Sequence, residues 1–200
     1  MPTKRTITRR KTRTSRKNKT SRKVKRKKMG GGIMPVALRN GLLVVLLGRE
    51  REERLWADFG GGGENIESQF MTAIREGGEE LNGYLGTGKR LTTLVRKNRI
   101  AEIKNGEKFD NRYASFLFKI PYSDDLPEYF NNNDRFIREK IPYEIIRSKK
   151  THNGLFEKDE IKWFTVGEIS KNLSKFRPHF VPIMEEVIAQ EKSLIRDLLG

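Results

Sequence analysis

GGGENIESQFMTAIREGGEELNG, residues 61–83, decides the fold, because its glycines and charges recur at fixed spacings and its apolar residues at a helical one. Four glycines, Gly60 to Gly63, follow Asp58-Phe59 and predict a turn, after which a helix runs to about Leu81. Ile66, Phe70, Ala73, Ile74, Gly77 and Leu81 fall on one stripe at the 3.6-residue period, the face expected to pack on a sheet. Glu76, Glu79 and Glu80 lie together beside that stripe. Residues three and four apart on a helix are surface neighbours and like charges there repel, so three adjacent carboxylates cost stability unless a cation sits among them. A hard divalent ion meets that need, since Mg2+ or Mn2+ prefers oxygen ligands with room for phosphate oxygens and water.

The same residues carry a family likeness. Gly61, five residues, Glu67, seven residues, Arg75-Glu76, two residues, Glu79-Glu80 resembles the Nudix box, G-x5-E-x7-R-E-U-x-E-E-x-G-U with U an apolar residue. The first glycine and every charged position agree. Three positions depart: Gly77 and Gly83 stand where the pattern has apolar residues, and Asn82 stands where it has glycine. Asparagine tolerates the left-handed conformation that ends helices. Gly77 and Gly78 inside a helix should each cost about 1 kcal/mol relative to alanine, which marks a helix that is either weakened or closely packed.

The resemblance implies an α/β chain with the Nudix-type α/β/α sandwich and a mixed sheet, covering roughly residues 33–190. It implies a hydrolase dependent on Mg2+ or Mn2+ that cuts a diphosphate linkage between a nucleoside diphosphate and another group. On that likeness Glu76, Glu79 and Glu80 would be metal ligands, and Glu79 or Glu76 would also activate water. Arg75 would pair with Glu67 and fix the helix to the loop at Gly61, without touching substrate. Acidic residues just ahead of the last strand resemble the place where many Nudix proteins supply a further carboxylate, here Glu160 or Glu157.

Composition divides the chain. Residues 1–28 hold 15 Lys or Arg and no Asp or Glu, leaving 27 basic against 26 acidic residues in the rest, so nearly all of the net +16 lies in the tail. With Ile7 and Val24 its only apolar residues after Met1 and Pro2, the tail cannot bury a core and is expected to be disordered. It has no apolar stretch of the secretory type, and almost no apolar face to serve as a transit peptide. The cluster Lys23, Lys25, Arg26, Lys27 and Lys28 reads as a nuclear-localisation or nucleic-acid patch. Such charge binds polyphosphate backbones through counterion release, without reading sequence, and RNA is the partner expected for it. No aromatic residue interrupts the arm, so base stacking is not expected there.

Residues 1–32 are thus read as a tail and glycine linker, and residues 33–200 as one domain. Zero cysteines exclude a disulfide framework and zinc-thiolate sites. The most apolar run, Leu42 to Leu47, is strand length, so a soluble protein of the cytoplasm or nucleus is expected. Ile33 to Arg39, Asn40-Gly41 and Leu42 to Gly48 read as a β-hairpin. Leu55 to Ala57, Tyr113 to Ile120 and Ile161 to Thr165 read as further strands, Val166 to Ile169 as a short helix, and the apolar residues from Ile183 to Leu198 as one long terminal helix with Pro182 in its first turn. Leu85 to Gly106 shows no nameable motif. A helical pattern opens at Asp134, and Pro142 must bend or end it. Phe130, Phe136 and Tyr143 are core residues or base-stacking ones, with burial statistics favouring the core. His152 and His179 lack metal-ligand spacing and read as structural or exposed.

Three readings of the chemistry follow. The first is a pyrophosphohydrolase for a nucleoside diphosphate derivative. The second is an RNA 5′-cap hydrolase, since the Arg-Glu-x-x-Glu-Glu-Leu-Asn run and the basic arm resemble decapping Nudix proteins of large DNA viruses, which would place it in an infected cell. The third is a Nudix-fold nucleic-acid binder with little catalysis.

Overall fold

The computed structural model describes residues 29–64, 66–142 and 156–200. Lys23, Lys25, Arg26, Lys27, Lys28, Tyr143 and His152 lie outside the described residues. The chain runs through β1 (Gly30–Arg39), β2 (Leu42–Glu50), β3 (Trp56–Ala57), β4 (Phe59–Gly62), α1 (Gln69–Glu80), α2 (Gly88–Asn98), β5 (Arg99–Lys104), β6 (Tyr113–Lys119), α3 (Asp125–Lys140), β7 (Lys158–Thr165), α4 (Val166–Ser170), α5 (Val181–Ala189) and α6 (Glu191–Leu199). The seven strands form one mixed sheet, with β1 parallel to β6 and antiparallel to β2 and β4.

The hairpin forms as expected. Asn40 and Gly41 both adopt positive φ, 51° and 79°, the pair of left-handed residues that a twist-matched two-residue turn requires. Alternation along β1 and β2 then splits the apolar residues between two cores. Ile33, Ala37, Val44 and Leu46 pack with Ala73 and Ile74 of α1, Leu91 and Val95 of α2, and Phe130 of α3. Met34, Val36, Val45 and Leu47 pack on the other face with Val166, Ile169, Ile183, Val187, Leu194 and Leu198 from α4, α5 and α6. The result is an α/β/α sandwich. No helix among the described residues is long and apolar enough to cross a membrane.

Several boundaries differ from the sequence reading, each for a packing reason. Gly30 to Gly32, read as linker, belong to β1 and pair with Gly62 to Gly60 of β4. Gly60 to Gly62 are therefore strand rather than turn. Glycine is required where these backbones meet, because a Cβ on Gly31 would lie 2.1 Å from the Gln69 carbonyl oxygen, and one on Gly60 would lie 2.3 Å from the Gly32 Cα. Helix α1 starts only at Gln69, capped by the Ser68 hydroxyl, which accepts from the Met71 N–H. Ile66 accordingly lies outside the buried stripe and is exposed. The terminal helix is two helices, broken at Gln190, and the break lets both Val187 and Leu194 reach one core. The unassigned stretch after Leu85 forms α2 and β5, and α3 starts nine residues before Asp134, at Asp125.

Gly77 and Gly78 have different reasons to be small. A Cβ on Gly77 would lie 2.4 Å from Ile33 Cγ1 and Cδ1, whereas one on Gly78 would meet nothing closer than Thr87 Cγ2 at 3.4 Å. Gly77 marks close approach of α1 to β1 rather than a decayed helix. Gly78→Ala is expected to stabilise the fold by up to about 1 kcal/mol through helix propensity. Gly77→Ala is expected to destabilise it by about 1–2 kcal/mol, because Ile33 is fully buried and overpacking outweighs propensity. Urea midpoints of the two variants check the opposite signs.

Candidate active site

Helix α1 presents its charged side chains to β4 and the segment after it, which run along the helix from Glu80 back to Thr72. Arg75 is the clamp. Its Nε and Nη2 donate to the two Glu67 carboxylate oxygens at 3.2 and 3.1 Å, and Nη2 also reaches the Gly62 carbonyl at 3.2 Å. The Glu67 carboxylate further accepts from the Glu64 N–H at 3.0 Å and the Thr72 hydroxyl at 3.2 Å. Hydrogen bonds from Arg75 hold Glu67 below the usual carboxylate range, and Glu67 in return holds the guanidinium above its ordinary value. The pairing expected of Arg75 and Glu67 is thus formed. Gly61 supports it sterically: a Cβ there would lie 2.7 Å from the Glu76 carboxyl carbon, so only glycine lets that carboxylate rest on β4.

Arg75 Nη1 also contacts Glu76 Oε1 at 2.8 Å and Glu79 Oε2 at 3.5 Å. One guanidinium therefore faces three carboxylates. Burial raises the Glu76 carboxyl above its ordinary value, with Glu157 and Glu64 adding to the rise and Arg75 opposing it. Burial and then Glu76 raise Glu79 in the same way. Two such oxygens short of positive charge suit a divalent cation. Among the described residues no three acidic or histidine side chains converge as a ready metal cage. Mg2+ does not need one, because it commonly binds through one or two carboxylates and completes its shell with water and substrate phosphate. Glu76 and Glu79 fit that role.

Two expected ligands are placed elsewhere. Glu80 is 2% exposed, accepts the Gly60 N–H at 2.7 Å and lies 3.5 Å from the Lys158 ammonium. Burial raises its carboxyl well above the ordinary range, with Lys158 opposing the rise. Glu160 stands opposite Arg49 in the β2–β7 register and is ion-paired with it at 2.8 Å. That pair belongs to a separate cavity of about 550 Å3 with Arg54, Asp134, Arg135 and Asp159. Of the two acids named ahead of β7, Glu157 is the one whose charge acts on Glu76, Glu79 and Glu80.

The other face of the glycine strands opens a cavity of about 440 Å3. Gly30 and Gly60 to Gly62 supply backbone, while Lys108, Arg112 and Arg177 supply positive charge and Phe109, Tyr113 and His179 supply rings. Among the described residues no acidic one lines it. His179 packs edge-on to Tyr113 with centroids 5.3 Å apart, and burial, then Arg177, lowers its pKa. The sequence offers no spacing that gathers these residues, since they come from the turn before β6, the start of β6 and the approach to α5. Phe130 is fully buried, as expected of a core residue, but Phe136 is exposed and lies outside this cavity.

Beneath the cavity, Asp58 is buried and accepts from the Tyr113 hydroxyl at 2.7 Å and from the Ser115 hydroxyl. Burial pushes its pKa up to about 6, against the lowering effect of those two hydroxyls and Lys158. Because the folded value is raised, the stabilisation from protonating Asp58 is complete below its unfolded value and is lost as pH rises through about 6. Each pH unit that separates the folded from the unfolded value is worth about 1.4 kcal/mol. The stability of the native chain relative to Asp58→Asn is therefore expected to rise by about 2–3 kcal/mol between about pH 7.5 and about pH 4. Denaturant titrations of both proteins at the two pH values measure it; a flat difference would show that Asp58 does not titrate there.

No protein-family model matches the chain, and no curated protein does. Solved structures to which it is similar include a Nudix hydrolase from M. smegmatis, RenU, at 11% identity over 83% of this chain and 87% of that one, with a TM-score of 0.49. A bifunctional NMN adenylyltransferase/ADP ribose pyrophosphatase from Francisella tularensis, complexed with AMP and a Mn ion, is 16% identical over 81% of this chain and 42% of its own, with a TM-score of 0.47. A C. elegans Ap4A hydrolase is 14% identical over 86% of this chain and 98% of its own, with a TM-score of 0.46.

Proposed function

We propose that the protein is a Nudix-type pyrophosphohydrolase, dependent on Mg2+ or Mn2+, that cuts a diphosphate linkage in a nucleoside diphosphate derivative. The observation that carries this reading is the Arg75 clamp, which ties Glu67 and the Gly62 carbonyl to α1 and leaves Glu76 and Glu79 together with raised pKa values. Those two carboxylates would hold a divalent ion, which when bound would supply charge neutralisation at phosphoryl oxygens and a more acidic water. Glu79, with its side chain 27% exposed, is the group placed to take a proton from the attacking water. Arg75 keeps the two carboxylates in place, with four of its five N–H donors given to Glu67, Glu76 and the Gly62 carbonyl and Glu79 facing Nη1 at 3.5 Å.

The cavity behind the glycine strands supports a nucleotide substrate. Its size is that of a small-molecule site, and Lys108, Arg112 and Arg177 suit phosphate charge while Phe109, Tyr113 and His179 offer ring faces to a base. Gly61 lies in its wall and carries Glu76 against it, so substrate phosphates and box carboxylates share one strand.

The test is a product analysis by mass. The full chain would be incubated with Mg2+ or Mn2+ and capped RNA, nucleoside triphosphates, dinucleoside polyphosphates or nucleotide sugars. Metal-dependent cleavage between phosphates, lost in Glu79→Gln, is expected for at least one class. No cleavage of any of them would remove the hydrolase reading.

A further inference from the structure

Helix α2 departs from the rest of the chain in charge. Apart from the tail, basic and acidic residues are nearly equal in number, yet residues 81–101 hold Lys89, Arg90, Arg96, Lys97 and Arg99 and no Asp or Glu. Leu91 and Val95 turn inward and are fully buried in the core shared with α1, so Lys89, Arg90, Thr93, Arg96 and Lys97 form the exposed outer face. A solvated helix often offsets such cations with acids three or four residues away, as Asp134 does for Arg138 on α3. No acid stands at those positions from any of the four cations of α2, and none of them is ion-paired among the described residues. Arg96 is held instead over the Phe70 ring, 5.2 Å from its centroid, and Phe70 packs edge-on to Phe116.

We propose that this outer face binds the phosphodiester backbone of a nucleic-acid strand. Its four cations make two pairs seven residues apart, so about 10 Å separates them along the helix axis. One phosphate cannot reach both pairs, whereas a strand carries a charge at every nucleotide. A membrane surface fits less well, because an interfacial helix inserts apolar side chains and those of α2 are turned into the core. The place of the face in the fold also suits a strand. A Cβ on Gly78 would meet Thr87 at 3.4 Å while Arg96 lies over Phe70, so α2 runs antiparallel alongside α1. Beside Phe70, the Gln69 amide donates to the Asn111 carbonyl at 3.2 Å, and the adjoining Arg112 lines the cavity at the glycine strands. Positive charge therefore extends from α2, past the start of α1, to that cavity. Binding there requires neither a metal nor cleavage, so it is independent of the hydrolase reading.

Fluorescence anisotropy of a labelled single-stranded RNA of about 20 nucleotides, titrated with the full chain in EDTA at several salt concentrations, tests this without cleavage. The triple variant Lys89→Gln, Arg90→Gln, Lys97→Gln is compared with the triple variant Lys171→Gln, Lys192→Gln, Arg196→Gln, which removes the same charge from exposed positions on the other side of the sheet. The tail is unchanged in both, so its own affinity cancels. The α2 variant should bind at least about tenfold more weakly at about 0.1 M salt. Its log affinity should also fall less steeply with log salt, by about 2 in slope, for three lost phosphate contacts at about 0.7 each. The control variant should stay within about threefold of the unsubstituted chain, and all three melting temperatures should agree because the substituted side chains are exposed. Equal losses in the two variants, no loss in the α2 variant, or no RNA bound by the unsubstituted chain would overturn the proposal. The same α2 dependence with phosphatidylserine vesicles and not with RNA would overturn it in favour of a membrane.

Discussion

Glu79→Gln is expected to lower kcat for the cleaved diphosphate by about 10³-fold, within the 10²–10⁴ range that positioned acid–base groups contribute. The amide is nearly isosteric with the carboxylate but carries no charge and takes up no proton. Both roles read for Glu79, oxygen donor to the ion and acceptor of the water's proton, are lost together. The fold should be indifferent, since the side chain is partly exposed and among the described residues its only ion pair is the 3.5 Å contact to Arg75. Surface substitutions of that kind usually change stability by less than about 0.5 kcal/mol. Steady-state kinetics at saturating Mg2+ alongside a thermal melt separate the two effects. An unchanged kcat would remove Glu79 from the chemistry, and a lowered melting temperature would show that its role is structural.

Lys158→Met should produce the largest loss of stability of any single change at the site, about 3–5 kcal/mol, the cost typical of removing one partner from a buried ion pair. Methionine fills much of the channel beside Gly48, so the loss is not chiefly one of packing. It comes from Glu80 and Asp58, left without the ammonium, while Glu50 keeps only the Arg177 guanidinium at 3.2 Å. Glu80 and Asp58, whose carboxyls burial already raises, can relieve the repulsion by binding protons, so the variant should lose less stability at about pH 5 than at about pH 8. Denaturant unfolding of Lys158→Met, Glu80→Gln and the double variant closes a cycle. A coupling of about 1–3 kcal/mol is expected, because neutralising Glu80 removes part of the charge that the missing ammonium leaves unmatched. Additive losses would mean that Lys158 answers to Glu50 alone.

The chain shows how unevenly a fold is written in its residues. The hairpin is legible because Asn40-Gly41 needs no context: both residues tolerate positive φ, and the flanking strands alternate. Helix α1 is legible for the same local reason, through the period of Phe70, Ala73, Ile74, Gly77 and Leu81. Its start is not, because Ile66 fits the period on paper while the Ser68 cap ends the helix before reaching it. Helix α2 is hidden although Leu91, Leu94 and Val95 have helical spacing, since three apolar residues in so basic a segment make a faint stripe. The glycines read as a turn because a run of glycine usually is one. Only pairing across β1 and β4, with no space for side chains, makes them strand.

The site divides along the same line. Spacing within one helix is enough to bring Arg75, Glu76 and Glu79 together, because a helix fixes which residues are neighbours whatever surrounds it, whereas the pairing of Arg75 with Glu67, which lies ahead of the helix, is legible only through the resemblance to the Nudix box. Spacing also makes Glu80 look like a third member of the same cluster, and Glu160 look as suitable as Glu157. What separates them lies on other strands: Lys158 and the Gly60 N–H turn Glu80 inward, and Arg49 across the β2–β7 register holds Glu160. The cavity of Lys108, Arg112, Arg177 and His179 likewise exists only once β6, the turn before it and the approach to α5 meet at the glycine strands. Local periodicity specifies which charges a helix displays. Burial and long-range pairing specify which of those charges remain free to act, and no residue carries that information alone.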